Sequence, residues 1–173
     1  VVRATAIRRD GFVPGDRVLS RENHERLLVP DGIDPERIAL GIRQPWVELI
    51  LREVKTLEVR SQPVALRGRI YLYSARRCSD HPAAALAIAT FGLSRAGFVM
   101  GQLVGAANLI ACRPARPEDS AAACVPAESL IGQYVWSLAD VERFTVPVPV
   151  RFAPYGVWFY PFQRKGEQPV SGA

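Results

Sequence analysis

The stretch GIRQPWVELILREVKTLEVR, Gly41 to Arg60, changes its hydrophobic period twice, and those changes set the architecture. The apolar run Ile38 to Ile42 (IALGI), which overlaps its start, reads as a strand. Arg43-Gln44-Pro45 breaks it, and Pro45 suits the first turn of a helix, where its missing N–H costs nothing. Val47, Ile50, Leu51 and Val54 then fall at i, i+3, i+4 and i+7, one apolar helical stripe, with Glu48 and Arg52 paired four apart on the polar side. From Thr56 the period becomes two. Leu57 and Val59 point to a core, while Thr56, Glu58 and Arg60 share the opposite, exposed face of a strand.

Outward from this strand–helix–strand unit, Ser61-Gln62-Pro63 and Arg67-Gly68 are turns, and Arg69 to Ala75 (RIYLYSA) is a second β-branched and aromatic strand. Arg76 to Pro82 reads as a basic loop, and Ala83 to Phe91 as an Ala-rich helix. Phe98 to Cys112 supplies one long bent strand or two short ones, with Gly97, Gly101 and Gly105 marking bulges or close backbone approaches. Pro114 to Ala127 is a loop with a helical turn. Tyr134 to Leu138 and Val146 to Phe152 are strands separated by Asp140 to Arg143, and Val157 to Tyr160 closes the set. Short strands with few helices and no βαβ rhythm predict an α+β, mainly β domain. It is a small antiparallel barrel or pseudobarrel of about five to seven strands with two or three short helices.

On this basis the chain divides into an N-terminal arm (1–37), the domain (38–162) and a polar tail (163–173). Within the arm, Arg21 to Leu28 suggests a short helix and Pro30-Asp31-Gly32 a turn. The arm carries seven Arg against seven Asp or Glu, so the formal excess of +5 lies wholly from Ile38 onward. A basic body suits a polyanionic partner, and equally a solvated basic surface. Among 22 basic residues only Lys55 and Lys165 are Lys. Lys55 falls inside the domain, where an ammonium differs from a guanidinium in reach and in its capacity to lose a proton.

Cys78, Cys112 and Cys124 are odd in number and widely spaced, which argues against a disulfide framework and for a reducing, cytoplasmic setting. Cys78-Ser-Asp-His81 is half a zinc pattern without a second half, so neither metal nor cofactor is expected. Ala96 to Cys112 is uncharged, but it is short of a span and holds Gln102 and Asn108, so no membrane segment is expected. No P-loop, G-x-S-x-G or His-rich set is present.

Gly41 to Arg60 resembles the signature of the ASCH family, a branch of the PUA-like superfamily. There a strand and short helix lead into Gly-x-Lys-x-x-Glu-x-Arg; the matching residues here are Lys55, Glu58 and Arg60. RGRIYLYSARR (67–77), YVWSLADVERFTVPVPVRF (134–152) and GVW (156–158) are similar to later strands of such domains, so the resemblance covers about 38–161. The family's Gly is replaced by Glu53, which implies a differently closed or a strained helix end.

The resemblance implies a PUA-like barrel with a cleft lined by Lys55, Glu58 and Arg60, binding RNA or another single-stranded nucleic acid, with DNA as a further possibility. Arg60 offers a planar fork for phosphate or a base edge, and Glu58 can accept from a nucleobase amine or simply hold Arg60. Gln44 and Trp46 flank the helix start, Trp46 as a stacking or a core residue. Ser74, Arg76 and Arg77 complete the candidate nucleic-acid-binding set, the arginines as phosphate contacts. Tyr71 and Tyr73 form a stacking face or pack within the sheet. The alternative is a small hydrolase acting on RNA or a modified nucleoside, with Lys55 and Glu58 as candidate catalytic residues. Against it, Glu58 occupies the place of the amidohydrolase-type Thr, and Ser74, Glu118 or Glu128 would have to substitute. A third reading is a domain that binds a peptide or an acidic metabolite.

Overall fold

The computed structural model describes residues 29–164. The helix expected at Arg21 to Leu28 and the tail residue Lys165 lie outside the described residues. Six strands form one curled sheet: β1 Ala39–Gln44, β2 Leu57–Arg60, β3 Gly68–Cys78, β4 Gln102–Pro114, β5 Tyr134–Pro149 and β6 Trp158–Phe159. Their order across the sheet is β2-β5-β4-β3-β1-β6. Among the described residues three α-helices are inserted, α1 Trp46–Leu51, α2 Pro82–Thr90 and α3 Ser120–Ala123. The sheet is mixed rather than wholly antiparallel, because β1 runs parallel to β3. The chain reaches that register by crossing over through α1 and β2, which delivers β2 to the opposite edge beside β5.

The main core lies on one face of the sheet, where Leu40, Ile42, Val47, Ile50, Leu72, Leu109 and Trp136 pack together. Trp136 stacks on Trp158 with centroids 5.5 Å apart, which draws the far edges of the sheet toward each other. Tyr71 and Tyr73 face the other way and are buried as well. Phe144 meets Tyr71 edge-on and Phe159 covers Tyr73. The Tyr71 hydroxyl accepts from the Asp34 N–H at 2.7 Å. These rings therefore serve sheet packing.

Helix α1 is shorter than its stripe suggested. Val47, Ile50 and Leu51 are buried as expected, but Glu53 turns left-handed (φ 57) and Val54 falls outside the helix. A non-Gly residue thus adopts the left-handed helix end, a conformation costing an L-residue about 1–2 kcal/mol. Leu49, off the stripe, is buried too, because α1 is wedged between the sheet and Ala87 of α2. Its approach to the sheet depends on Gly105. A Cβ there would lie 2.7 Å from Leu51 Cδ2 and 2.2 Å from the Glu142 carbonyl oxygen.

The two strands expected within 134–152 form one. β5 passes through Asp140 to Arg143 by turning Asp140 left-handed (φ 49) and shifting register against β4. Among the described residues no helix is long and apolar enough to cross a membrane.

Candidate functional site

β2 brings Glu58 and Arg60 to one wall of a cleft, and Lys55 sits at the turn leading into it. The exposed face expected for this motif is instead an interior one: Lys55 and Glu58 are 2% and 5% exposed. The Lys55 ammonium donates to the Leu57 carbonyl at 2.8 Å and to the Ala123 carbonyl at 2.7 Å. It also pairs with Glu58 Oε2 at 3.6 Å and lies 5.5 Å from the centre of the Trp46 ring. Two of its three donors are thus taken by carbonyls, and the 3.6 Å contact with Glu58 is ionic rather than a hydrogen bond. Burial pushes the Lys55 pKa below 10.5, with the Glu58 charge opposing that shift.

Arg60 is similarly committed. Its Nη2 donates to the Gly41 carbonyl at 2.8 Å, its Nε pairs with Glu58 Oε1 at 3.0 Å, and its guanidinium lies over Trp136. The motif is therefore a set of ties. Lys55 fastens the start of β2 to the end of α3, Arg60 fastens its end to β1, and Glu58 pairs with both, one negative charge against two positive. Glu58 remains the member with acceptor capacity to spare, since a carboxylate offers about four lone-pair sites.

Two adjoining chambers open beside this wall. The larger, of 630 Å³, is lined by Arg43, Glu58, Arg60, Tyr73 and Arg76 and by the loop around Pro154 and Gly156. The smaller, of 300 Å³, is lined by Lys55, Glu58, His81, Ser129 and Gln133. Trp46, Glu58, Val59 and Ser79 line both and form the junction.

Arg76 and Arg77 are exposed, and neither side chain pairs with another described residue. Arg76 lies against Gly101, where an added Cβ would be 3.3 Å from its Cγ. It is a free cation on the wall of the larger chamber, whereas Arg43 there is paired with Asp80 at 2.9 Å. Arg77 lines neither chamber.

Gln44 and Ser74 are drawn together away from the cleft. The Gln44 amide donates to Ser74 Oγ and to the Val99 carbonyl, both at 3.3 Å, and its oxygen accepts from the Glu48 N–H. Ser74 donates in turn to Val99. Both are fully buried, and this network holds the start of helix α1 and joins it to the sheet. Glu118 pairs with Arg116 on the surface, and neither Glu118 nor Glu128 lines a chamber. Burial pushes the Cys124 thiol up, against the Lys55 charge, which keeps it protonated. Among the described residues no cluster of three or more His, Cys, Asp or Glu is placed to hold a metal ion.

Ser79, His81, Ser129 and Gln133 line the small chamber and carried no legible sequence signal as a group, since they come from separate loops. One of them was within reach: His81 precedes Pro82, a helix-start pattern, and its Nδ1 accepts the Ala83 N–H at 3.2 Å.

The curled six-stranded sheet with short inserted helices gives the chain an ASCH-like fold. Among the solved structures it is similar to is the crystal structure of ASCH from Zymomonas mobilis, with a TM-score of 0.50 and 16% identity over 76% of this chain and 90% of that one. A mutant of the same Zymomonas mobilis protein aligns at 14% identity over 75% of this chain and 91% of that one, with a TM-score of 0.48. No protein-family model matches the chain. No curated protein matches it in sequence.

Proposed function

We propose that the chain binds nucleic acid, with RNA as the favoured partner, through the paired chambers beside β2. The observation that carries this reading is Arg76: a guanidinium with no described partner, set on the wall of a 630 Å³ cleft that also presents the Trp46 ring. A free cation beside an accessible aromatic face is what a phosphate and its attached base require. The phosphate contacts are assigned to Arg76 and, outside the chamber, Arg77, whereas Lys55 and Arg60 hold the wall in shape. A reducing, cytoplasmic setting belongs to the same reading and rests on three unpaired cysteines.

The test is binding of a labelled single-stranded RNA across a salt series, with DNA of the same sequence alongside. Two phosphate contacts on a single strand give about sevenfold weaker binding between about 50 and about 200 mM salt. Arg76→Ala is expected to weaken binding and flatten that slope. A response that is flat in the wild type, or absence of binding at low salt, refutes the proposal and favours a peptide or metabolite ligand.

The hydrolase reading rests on a different observation, the depressed pKa of a lysine lining the small chamber. To act as a base, Lys55 would have to lose its proton and part of its hold on Leu57, Ala123 and Glu58. Binding without turnover is therefore the favoured form. Release of acetate from acetylated cytidine or cleavage of labelled RNA, lost in Lys55→Arg, would reverse that order.

A further inference from the structure

The two chambers differ in chemistry as well as in size. In the larger, Arg43 is paired with Asp80 and Arg60 with Glu58, while Arg76 has no partner among the described residues, so this chamber favours an anion. In the smaller, the Lys55 ammonium and the Glu58 carboxylate compensate each other, and the remaining polar groups are Ser79, His81, Ser129 and Gln133. A bare phosphate gains little there. At 300 Å³ the space is at the lower limit of ligand sites, enough for one heterocycle and too small for a folded polymer.

What faces that space is also directional. Glu58 is ionically held on both oxygens, Oε1 by Arg60 and Oε2 by Lys55, yet retains unfilled lone pairs and lines both chambers. Ionised, it can only accept. His81 is oriented the opposite way. Because its Nδ1 accepts the helix-start bond from Ala83, the proton of the neutral ring resides on Nε2, which can only donate. The Lys55 ammonium spends two donors on the Leu57 and Ala123 carbonyls and faces Glu58 Oε2 at 3.6 Å.

We infer that the small chamber selects a nucleobase edge carrying an exocyclic amine next to an acceptor ring nitrogen. The amine donates to Glu58, and His81 Nε2 serves the ring nitrogen, while the attached phosphate lies on the Arg76 side. Cytosine and adenine present that edge. Uracil and hypoxanthine place a carbonyl oxygen where the amine would be, which sets two acceptors against each other at Glu58. The inference rests on the nucleic-acid reading above and adds to it a rule for which bases are bound.

The experiment is equilibrium binding of labelled five-nucleotide RNAs made only of cytidine, adenosine, uridine or inosine, at low salt and at physiological salt. The cytidine and adenosine oligomers are expected to bind about tenfold tighter or more than the other two, since one such contact discriminates by that order. Glu58→Gln, whose amide both donates and accepts, is expected to bring the four within about threefold of one another. Arg76→Ala is expected to weaken all four and leave the ratio between them unchanged. Where Glu58→Gln has lost its melting transition, His81→Ala takes its place and is expected to weaken the cytidine and adenosine oligomers selectively. Equal binding of all four, with salt dependence intact, overturns the base rule and leaves nucleic-acid binding standing. Failure of every oligomer to bind at low salt overturns both.

Discussion

Lys55→Met removes the ammonium that ties β2 to α3 and keeps most of the side-chain stem. Two carbonyls, those of Leu57 and Ala123, lose their 2.8 and 2.7 Å donor, and Glu58 keeps Arg60 as its sole counter-charge. Orphaned buried acceptors cost about 1–3 kcal/mol each, and breaking a buried ion pair costs about 3–5 kcal/mol. Two features hold the sum down: the small chamber lets water reach the vacated position, and Arg60 stays 3.0 Å from Glu58. A loss of about 3 kcal/mol is expected, read as a urea midpoint lowered by about 1.5 M for a slope of about 2 kcal/mol/M. The Lys55→Met/Glu58→Gln double variant is expected to lose less than the two singles together, because the charges leave as a pair.

The pH dependence has a definite sign. The folded pKa of Lys55 lies below 10.5, so in the window between the folded value and 10.5 the unfolded chain binds more protons. The stability of the wild type relative to Lys55→Met must therefore rise as pH rises through that window. A Lys55→Met unfolding free energy within about 0.5 kcal/mol of wild type would refute the account of Lys55 as a tie. So would a difference that falls with rising pH.

Gly105→Ala places a Cβ 2.2 Å from a backbone oxygen, so α1 or β5 must shift; a loss of about 2 kcal/mol is expected in thermal or urea unfolding, and an unchanged midpoint would show that α1 docks more loosely than described. Glu53→Gly relieves a left-handed non-Gly residue but adds freedom to the unfolded chain, so a net gain of about 0.5–1 kcal/mol is expected; a loss would mean that the Glu53 side chain contributes something the backbone argument omits. The Arg113 bond holds the Asp119 carboxyl below 3.8, so its contribution is present above that pH and is lost as pH falls through the folded value. Acid titration of stability against Asp119→Asn is therefore expected to show the two curves converging below pH 3.8, and parallel curves would contradict the assignment.

Local pattern carried far in this chain. The helix at α1 follows from Pro45 and the Val47, Ile50, Leu51 spacing, β2 from the alternation of Leu57 and Val59 with polar residues, and β3 and β6 from short apolar and aromatic runs. β5 was legible only in pieces. A bulge at Asp140 absorbs the charged residues that looked like a break, and a bulge has no periodic signature.

By itself the sequence determined the class of fold, the position of the Lys55, Glu58, Arg60 motif beside a short helix, and the basic balance of the body, all of which depend on residues close in the chain. The tertiary structure decided what those residues do. Whether Lys55 meets a ligand or the Ala123 carbonyl depends on where α3 lies, 68 residues away. Whether Gln44 and Ser74 line a cleft or bond one another depends on the parallel pairing of β1 with β3. The small chamber takes its walls from β2, the residues before α2 and the segment after α3. Contacts between segments so distant in sequence are set by sheet order and packing, and no local period records them.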